Sequence, residues 1–433
     1  MRRTSLLSIF ALLAGLVLAL VAVCCNRGSA QSSAHPVDPA ISATFALSYA
    51  PAAGEVEIRQ AQEAVRAHPD QAAAYAGLAR AFLSRRRETG DPALNGYAQD
   101  ALLAAQARDP RDPAVMTVAI LELADRHQFR DAREAARELV RAAPSDATGH
   151  LLEGDAALEL GDYDGAEQAF QQALDLSLDL RTYSRGAYLR WLRGDVEGAL
   201  ELMDLAIGAA GPKSREPAAW CFVEVGEMLR RRGDLRRAQA AAERALALVD
   251  GYLPARALRA RVRAAAGEAD AAIAEMQAVA DSTHTAEHLL ALADMQAAAG
   301  QTSAAAENLA EAEKLAGHDP LPVAAYLARH AAEPSRALAL AEKAEADRPS
   351  VFASAVHAVA LVRAGRAEEA RAAARRARRL GTPAAEIYLA EAMAESAGGD
   401  LAKAKSALAK AKQIEPQVDP VLVAELTSKI GAK

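Results

Sequence analysis

Glycine recurs in this chain at Gly161, Gly194, Gly233, Gly267, Gly300, Gly365 and Gly399, in steps of 33, 39, 34, 33, 65 and 34. The step of 65 hides one period, with Ala331-Ala332-Glu333-Pro334 standing where its glycine should be. Prolines keep the same time: Pro69, Pro110 and Pro144 are 41 and 34 apart, and Pro349, Pro383 and Pro416 are 34 and 33 apart. A small residue recurs in register with both, as Ala98, Ala132, Ala166, Ala199, Ala238, Ala272, Ala305, Ala337, Ala370 and Ala404. Ten units fit between about Gln71 and Pro416. A period of this length means stacked units, each burying its apolar face only against its neighbours. Stacked hairpins suit this pattern better than a single globular core.

The clearest unit runs from Ala147 to Leu178, ATGHLLEGDAALELGDYDGAEQAFQQALDLSL. It reads as two helices hinged at Gly161-Asp162-Tyr163. Before the hinge, Leu151, Leu152, Leu158 and Leu160 accompany Gly154 and Ala157. After it, Ala166, Phe170, Ala173 and Leu174 fall three or four apart, on one helical face. Gly154, Ala166 and Ala173 allow close approach of the two helices, and Phe170 fills the space between them.

This unit resembles the tetratricopeptide repeat (TPR), matching its pattern at Gly154, Gly161, Ala166, Phe170 and Ala173. It departs at His150, where the family favours Trp, and in lacking a closing Pro. The resemblance implies an all-α, right-handed α-solenoid of about ten TPR-like hairpins with a C-terminal capping helix. It places the solenoid over residues 54–430, with repeats near 71–110, 111–144, 145–178, 179–212, 217–250, 251–284, 285–317, 318–349, 350–383 and 384–416. It also implies a concave groove lined by the first helix of each repeat, holding a protein or peptide partner without catalysis or cofactor.

The irregular steps locate insertions. About seven extra residues lie within Glu88 to Gly96, expected as a longer loop, and five in AAGPKSREP between the fourth and fifth repeats. Glu55 to Ala67 is expected to form a lone helix over the N-terminal end. The cap, at 418–430, turns Leu422, Val423, Leu426 and Ile430 inward and Glu425, Ser428 and Lys429 to solvent. Aromatics make up only 4% of the chain, so Ala, Leu and Val must build its core.

Residues 1–30 read as a signal peptide or membrane anchor. Arg2 and Arg3 precede Leu6 to Cys25, an apolar run without a charge. Three fates stay open: cleavage after Gly28-Ser29-Ala30, lipidation at Cys24 or Cys25, or an uncleaved tether through residues 6–25. Val23 and Cys24 stand where lipidation prefers a small residue. All three fates place the bulk of the chain outside the cytoplasm. Residues 31–53, with QSSAHPVDPA and YAPAAGE, read as a flexible tether.

The search for chemistry gives little. There is no Gly-rich phosphate loop, GxSxG or paired CxxC. Of three cysteines, Cys24 and Cys25 lie in the leader, leaving Cys221 as a small buried hydrophobe. His284-Thr-Ala-Glu287-His288 spells HxxEH, the basis for an alternative reading as a metal-dependent hydrolase. It straddles the start of a helix, so His284 cannot share a face with His288. Arg371, Arg375, Arg376, Arg378 and Arg379 read as a solvated outer face paired with Glu368 and Glu369. With 57 acidic against 50 basic residues, no nucleic-acid partner is expected. A self-assembling architectural role is the third alternative.

The aromatic residues give the candidate site. Both tryptophans, Trp191 and Trp220, fall on first helices of adjacent repeats, with Tyr183, Tyr188, Arg181, Arg185, Glu224 and Glu227 nearby. By the family's count of groove positions from the hinge, Arg181, Ser184, Tyr188 and Trp191 face the groove in one repeat. Trp220, Val223, Glu227 and Arg230 do so in the next. The partner site is therefore assigned to Arg181, Tyr188, Trp191, Trp220 and Glu227, since aromatics and Arg make the strongest interface anchors. The competing reading has the tryptophans plugging the seam at the five-residue insertion. The family's carboxylate clamp is not expected, because the corresponding positions hold Ala76, Arg80, Thr117, Leu121, Leu151 and Asp155.

Overall fold

The computed structural model describes residues 38–212, 214–316 and 319–431; the leader and the first part of the tether, through residue 37, lie outside the described residues. Among the described residues there are helices and turns but no strand. Two helices, α1 (Pro39–Ser48) and α2 (Val56–Ala67), precede ten hairpins. These are α3/α4 (Ala72–Thr89, Leu94–Gln106), α5/α6 (Pro113–Asp125, Phe129–Ala142), α7/α8 (Ala147–Glu159, Tyr163–Leu176), α9/α10 (Leu180–Leu192, Val196–Gly208) and α11/α12 (Arg215–Arg231, Leu235–Leu248). Then come α13/α14 (Leu253–Ala265, Ala269–Thr283), α15/α16 (Ala286–Ala298, Thr302–Leu315), α17/α18 (Leu321–Arg329, Pro334–Asp347), α19/α20 (Val351–Arg363, Ala367–Ala377) and α21/α22 (Ala385–Ala397, Leu401–Ile414). Helix α23 (Pro420–Gly431) closes the stack.

The hinge is one structure repeated. At Gly161 the backbone turns left-handed, with φ +70°, and the Asp162 N–H donates to the Ala157 carbonyl five residues back, at 2.9 Å. That bond closes a Schellman motif, which favours glycine at its left-handed position. Asp162 then caps α8 by accepting from the Gly165 N–H at 3.0 Å. The same six-to-one bond recurs at every hinge from α5/α6 to α21/α22. In two of them another residue takes the left-handed place, His127 at φ 58° and Ala331 at φ 53°.

The hairpins close on small residues. All ten recurring alanines on the second helices are at most 5% exposed. Phe170 is 2% exposed and lies over Gly154, where an added Cβ would come within 2.5 Å of the ring's Cδ1. Close helix approach around one ring therefore defines the third repeat.

The stack also closes on itself. The Tyr163 hydroxyl accepts from the Val351 N–H at 3.0 Å, 188 residues away, and Thr382 Oγ1 donates to the Leu192 carbonyl at 2.6 Å. Arg348 pairs with Glu159 at 3.1 Å, Arg231 with Glu386 at 2.9 Å and Arg230 with Glu415 at 2.6 Å. Hinges of the third, fourth and fifth repeats thus meet inter-repeat turns about five repeats further on, one superhelical turn resting on the next. The same contacts explain a pattern among the glycines. A Cβ at Gly161 would meet the Pro349 carbonyl carbon at 2.9 Å and one at Gly233 the Pro416 ring at 3.0 Å, whereas at Gly267, Gly300, Gly365 and Gly399 nothing lies within 4 Å.

Three expectations need correction. The stretch expected as a tether contains α1, which lies on α4: Phe45 stacks on Tyr97 at 4.8 Å, and Tyr49 meets Phe82 edge-on at 5.4 Å. Pro39 opens that helix behind the N-cap Asp38, which accepts from the Ala40 N–H at 2.9 Å. The insertion in the first repeat lengthens α3 to 18 residues rather than forming only a loop, because Arg85, Arg86, Arg87 and Glu88 favour helix up to the left-handed Gly90. Glu425 does not simply face solvent, since it accepts from Arg363 at 2.7 and 2.8 Å and thereby docks the cap on α19.

Candidate partner-binding surface

Helix α9 starts with a capping box, in which Asp179 accepts from the Arg181 and Thr182 amides while Thr182 Oγ1 accepts from the Asp179 N–H. This fixes the helix axis and with it the direction of Tyr188 and Trp191. Trp191 is 5% exposed. Tyr188 stacks on one side of it at 5.8 Å, and Phe352, from α19 of the next superhelical turn, lies parallel to it at 6.4 Å. The Arg231 guanidinium sits 5.6 Å from the same ring. Trp191 is therefore an internal packing residue joining two turns, not a free anchor. Its partner Phe352 gives no sign in the sequence, being 161 residues away with nothing periodic to link them.

The other proposed residues divide. Arg181 is exposed and held by Asp179 at 2.9 Å and Thr148 at 3.1 Å, ten residues and about 15 Å of helix from Trp191. Ser184 and Val223, placed in the groove by counting from the hinge, are buried. Tyr188, Trp220 and Glu227 remain partly exposed, and Tyr188 and Trp220 pack against the large core that runs from Tyr163 of the third repeat to Leu426 of the cap. The cleft left by the five-residue insertion is about 420 Å³, lined by Ile207, Pro212, Phe222 and Leu248, and contains neither tryptophan.

Around these side chains lies a dense set of charges. Glu227 accepts from Arg230 at 2.8 Å and from Arg261 at 2.5 Å. Burial alone would raise its pKa, but Arg261, Arg230 and Arg231 outweigh that and bring it down to about 2. Arg185 pairs with Asp155 at 3.1 Å. Glu224 has the opposite fate: burial, helped by the charge of Glu227, pushes it up to about 7 against the pull of Arg261 and Arg231. Cys221, fully buried beside it, has its thiol pushed up to about 12 chiefly by that burial, which suits a packing role.

Elsewhere, His284 and His288 diverge. His284 is the left-handed C-cap of α14 and approaches Glu311 at 3.4 Å, while His288 Nδ1 lies 2.9 Å from the Thr283 hydroxyl and 3.0 Å from that of Thr285. Among the described residues no three His, Cys, Asp or Glu side chains are grouped to hold a metal. The arginine run on α20 is mostly paired, in part as expected. Arg371 meets Glu368 and Glu395, Arg376 meets Glu345, Arg378 meets Glu391, and Glu369 serves Arg366 instead. Of the positions compared with the carboxylate clamp, Ala76 and Leu151 are buried and Asp155 is taken by Arg185.

The repeated hinge and the paired helices now meet a sequence match: residues 117–178 fit the tetratricopeptide repeat family. Residues 117–178 carry tetratricopeptide repeats. The match spans most of the second and all of the third hairpin, the unit with Phe170 against Gly154. A search of curated proteins finds no match. Among solved structures, the TPR solenoid is similar to PilW, a type IV pilus biogenesis factor, at 20% identity and a TM-score of 0.39, over 47% of this chain and 92% of that one. It is similar to yeast Tom70 at 14% identity and a TM-score of 0.40, over 87% and 91%. To a human IFIT1 dimer with PPP-AAAA the values are 12% and 0.47, over 79% and 82%.

Proposed function

We propose that this TPR protein is a non-catalytic interaction scaffold, holding a protein or peptide partner against the inner wall formed by α9, α11 and α13, outside the cytoplasm. The observation that carries the reading is the set of partly exposed side chains Tyr188, Trp220, Glu224 and Glu227, gathered on first helices that the turn-to-turn contacts hold rigid. A preformed wall binds without losing the ordering free energy that a mobile one would. Trp220 takes the anchoring role earlier shared with Trp191. Full-length protein in detergent, panned against a displayed library of short random peptides, should retain binders. Trp220→Ala should weaken those binders by about 2 kcal/mol or more with helicity intact. Trp191→Ala should instead lower the melting temperature. A library that yields no binder would remove the peptide-scaffold reading.

The location rests on Leu6 to Cys25 alone, since among the described residues no helix is long and apolar enough to cross a membrane. An alkaline phosphatase fused after residue 60 should be active in an exporting bacterium. An inactive phosphatase, beside an active cytoplasmic reporter at the same junction, would refute export.

A further inference from the structure

We infer that the wall between the fourth and fifth repeats receives a basic side chain of the partner, an arginine or lysine, with Glu224 as its counter-charge and Trp220 and Tyr188 as its aromatic sides. This rests on the reading that the inner wall holds a peptide, and it specifies that peptide's chemistry.

The charges around the wall leave one carboxylate over. Arg185 is matched by Asp155, Arg230 by Glu227 and Glu415, Arg231 by Glu386, and Arg261 by Glu227. Glu224 lies near Glu227, Arg231 and Arg261, and among the described residues it has neither an ion pair nor a hydrogen bond to any of them. Glu224 is half-buried, and a half-buried carboxylate without a partner gains more than a fully exposed one from an arriving cation. The resident arginines are not free to serve it: Arg231 is committed across the superhelical turn to Glu386, and Arg261 to Glu227. The displaced acidity of Glu224 agrees, since those arginines fail to offset burial and the neighbouring Glu227.

The surroundings narrow the class of cation. Trp220 precedes Glu224 by one helical turn on α11 and so shares its face. Tyr188 approaches from α9, its phenol raised by burial and then by the charge of Glu224. An aromatic face beside a carboxylate suits a guanidinium or an ammonium on an aliphatic stem, the ring meeting the stem and charge while the carboxylate accepts the hydrogen bonds. A free metal ion would find no group of three ligating side chains there among the described residues. An acidic segment would meet Glu224 and Glu227 with like charge.

The test uses full-length protein in detergent and the same displayed random peptides. Binders should share an arginine or lysine at one position, and changing it to alanine in a synthetic copy should weaken binding about tenfold or more. Glu224→Gln should weaken the parent peptide by a similar factor and leave the alanine copy unaffected, so that the two changes are not additive. Lowering the pH from about 8 to about 6 should weaken the parent about tenfold in the natural protein and hardly at all in Glu224→Gln, because protonation through pH 7 removes the counter-charge. The other groups facing Glu224 hold their state there: Glu227 stays ionised, Cys221 and Tyr188 stay protonated, and Arg185, Arg231 and Arg261 stay charged. Binders with no basic position, or basic binders indifferent to Glu224→Gln, overturn this inference while the peptide-scaffold reading stands. A library without any binder overturns both.

Discussion

Phe170→Ala should cost the folded solenoid about 3–5 kcal/mol, the range for emptying a fully buried aromatic site. The ring is 2% exposed and sits in a small cluster with Ala147, Leu151, Ala157, Ala166, Ala173 and Leu189. Six of these seven residues belong to the third hairpin; Leu189 belongs to the next. The cavity therefore opens both within one repeat and along its interface with its neighbour. It cannot collapse easily, because Gly154 and Ala166 are already at their smallest useful size and the helices are in contact around them. Equilibrium unfolding in urea, followed by far-ultraviolet circular dichroism, measures the loss. A change under about half a kilocalorie would show that the ring bears no load. In a simple stack such a defect could split unfolding into two flanking blocks. Here the third repeat also holds Val351 and Arg348 one turn on, so amide exchange should rise at residues 350–363 as well as at 147–176.

Most of what lies within a hairpin was legible in the sequence, and what lies between superhelical turns was not. The period, the ten alanines, the Phe170 packing and the glycine hinges all follow from local rules, because a Schellman turn or a close helix crossing is specified by residues within one repeat. Where the local rule was satisfied by an unusual residue, as at His127, the sequence was silent. The candidate surface was legible only in part. Trp191 looked like a groove anchor because its helix and register are right, yet Phe352 covers it from the next turn. Arg230 and Arg231 found their acids at Glu415 and Glu386 for the same reason. These pairings depend on the pitch of the whole superhelix, the accumulated result of small rotations between repeats, and no motif encodes it. Glu224 was visible as a neighbour of the tryptophans, but its distinguishing property is the lack of a partner. That emerges only after every nearby arginine has been assigned.

Gly161→Ala and Gly365→Ala should differ sharply although the two hinges look alike in the sequence. Both glycines are left-handed, at φ +70° and +76°, so an alanine at either should cost about 1 kcal/mol in backbone strain. At Gly365 nothing lies within 4 Å of the new methyl, and the cost should end there. At Gly161 the methyl meets the backbone of Pro349, which is pinned by the 2.6 Å hydrogen bond its carbonyl accepts from Arg379. Backbone cannot swing aside as a flexible side chain can. The two turns must separate, losing the Tyr163 to Val351 bond and the Glu159–Arg348 pair, so the total should reach about 3 kcal/mol. Ala331→Gly should shift stability the other way, by up to about 1 kcal/mol, because it relieves the same left-handed strain at φ 53°. Thermal unfolding of the three variants reads the energies, and small-angle scattering reads the geometry. Gly161→Ala alone should lengthen the particle as the turns part. Equal losses at Gly161 and Gly365, with unchanged scattering, would mean that the turns do not rest on each other in solution, and Trp191 would then be uncovered and available to a partner.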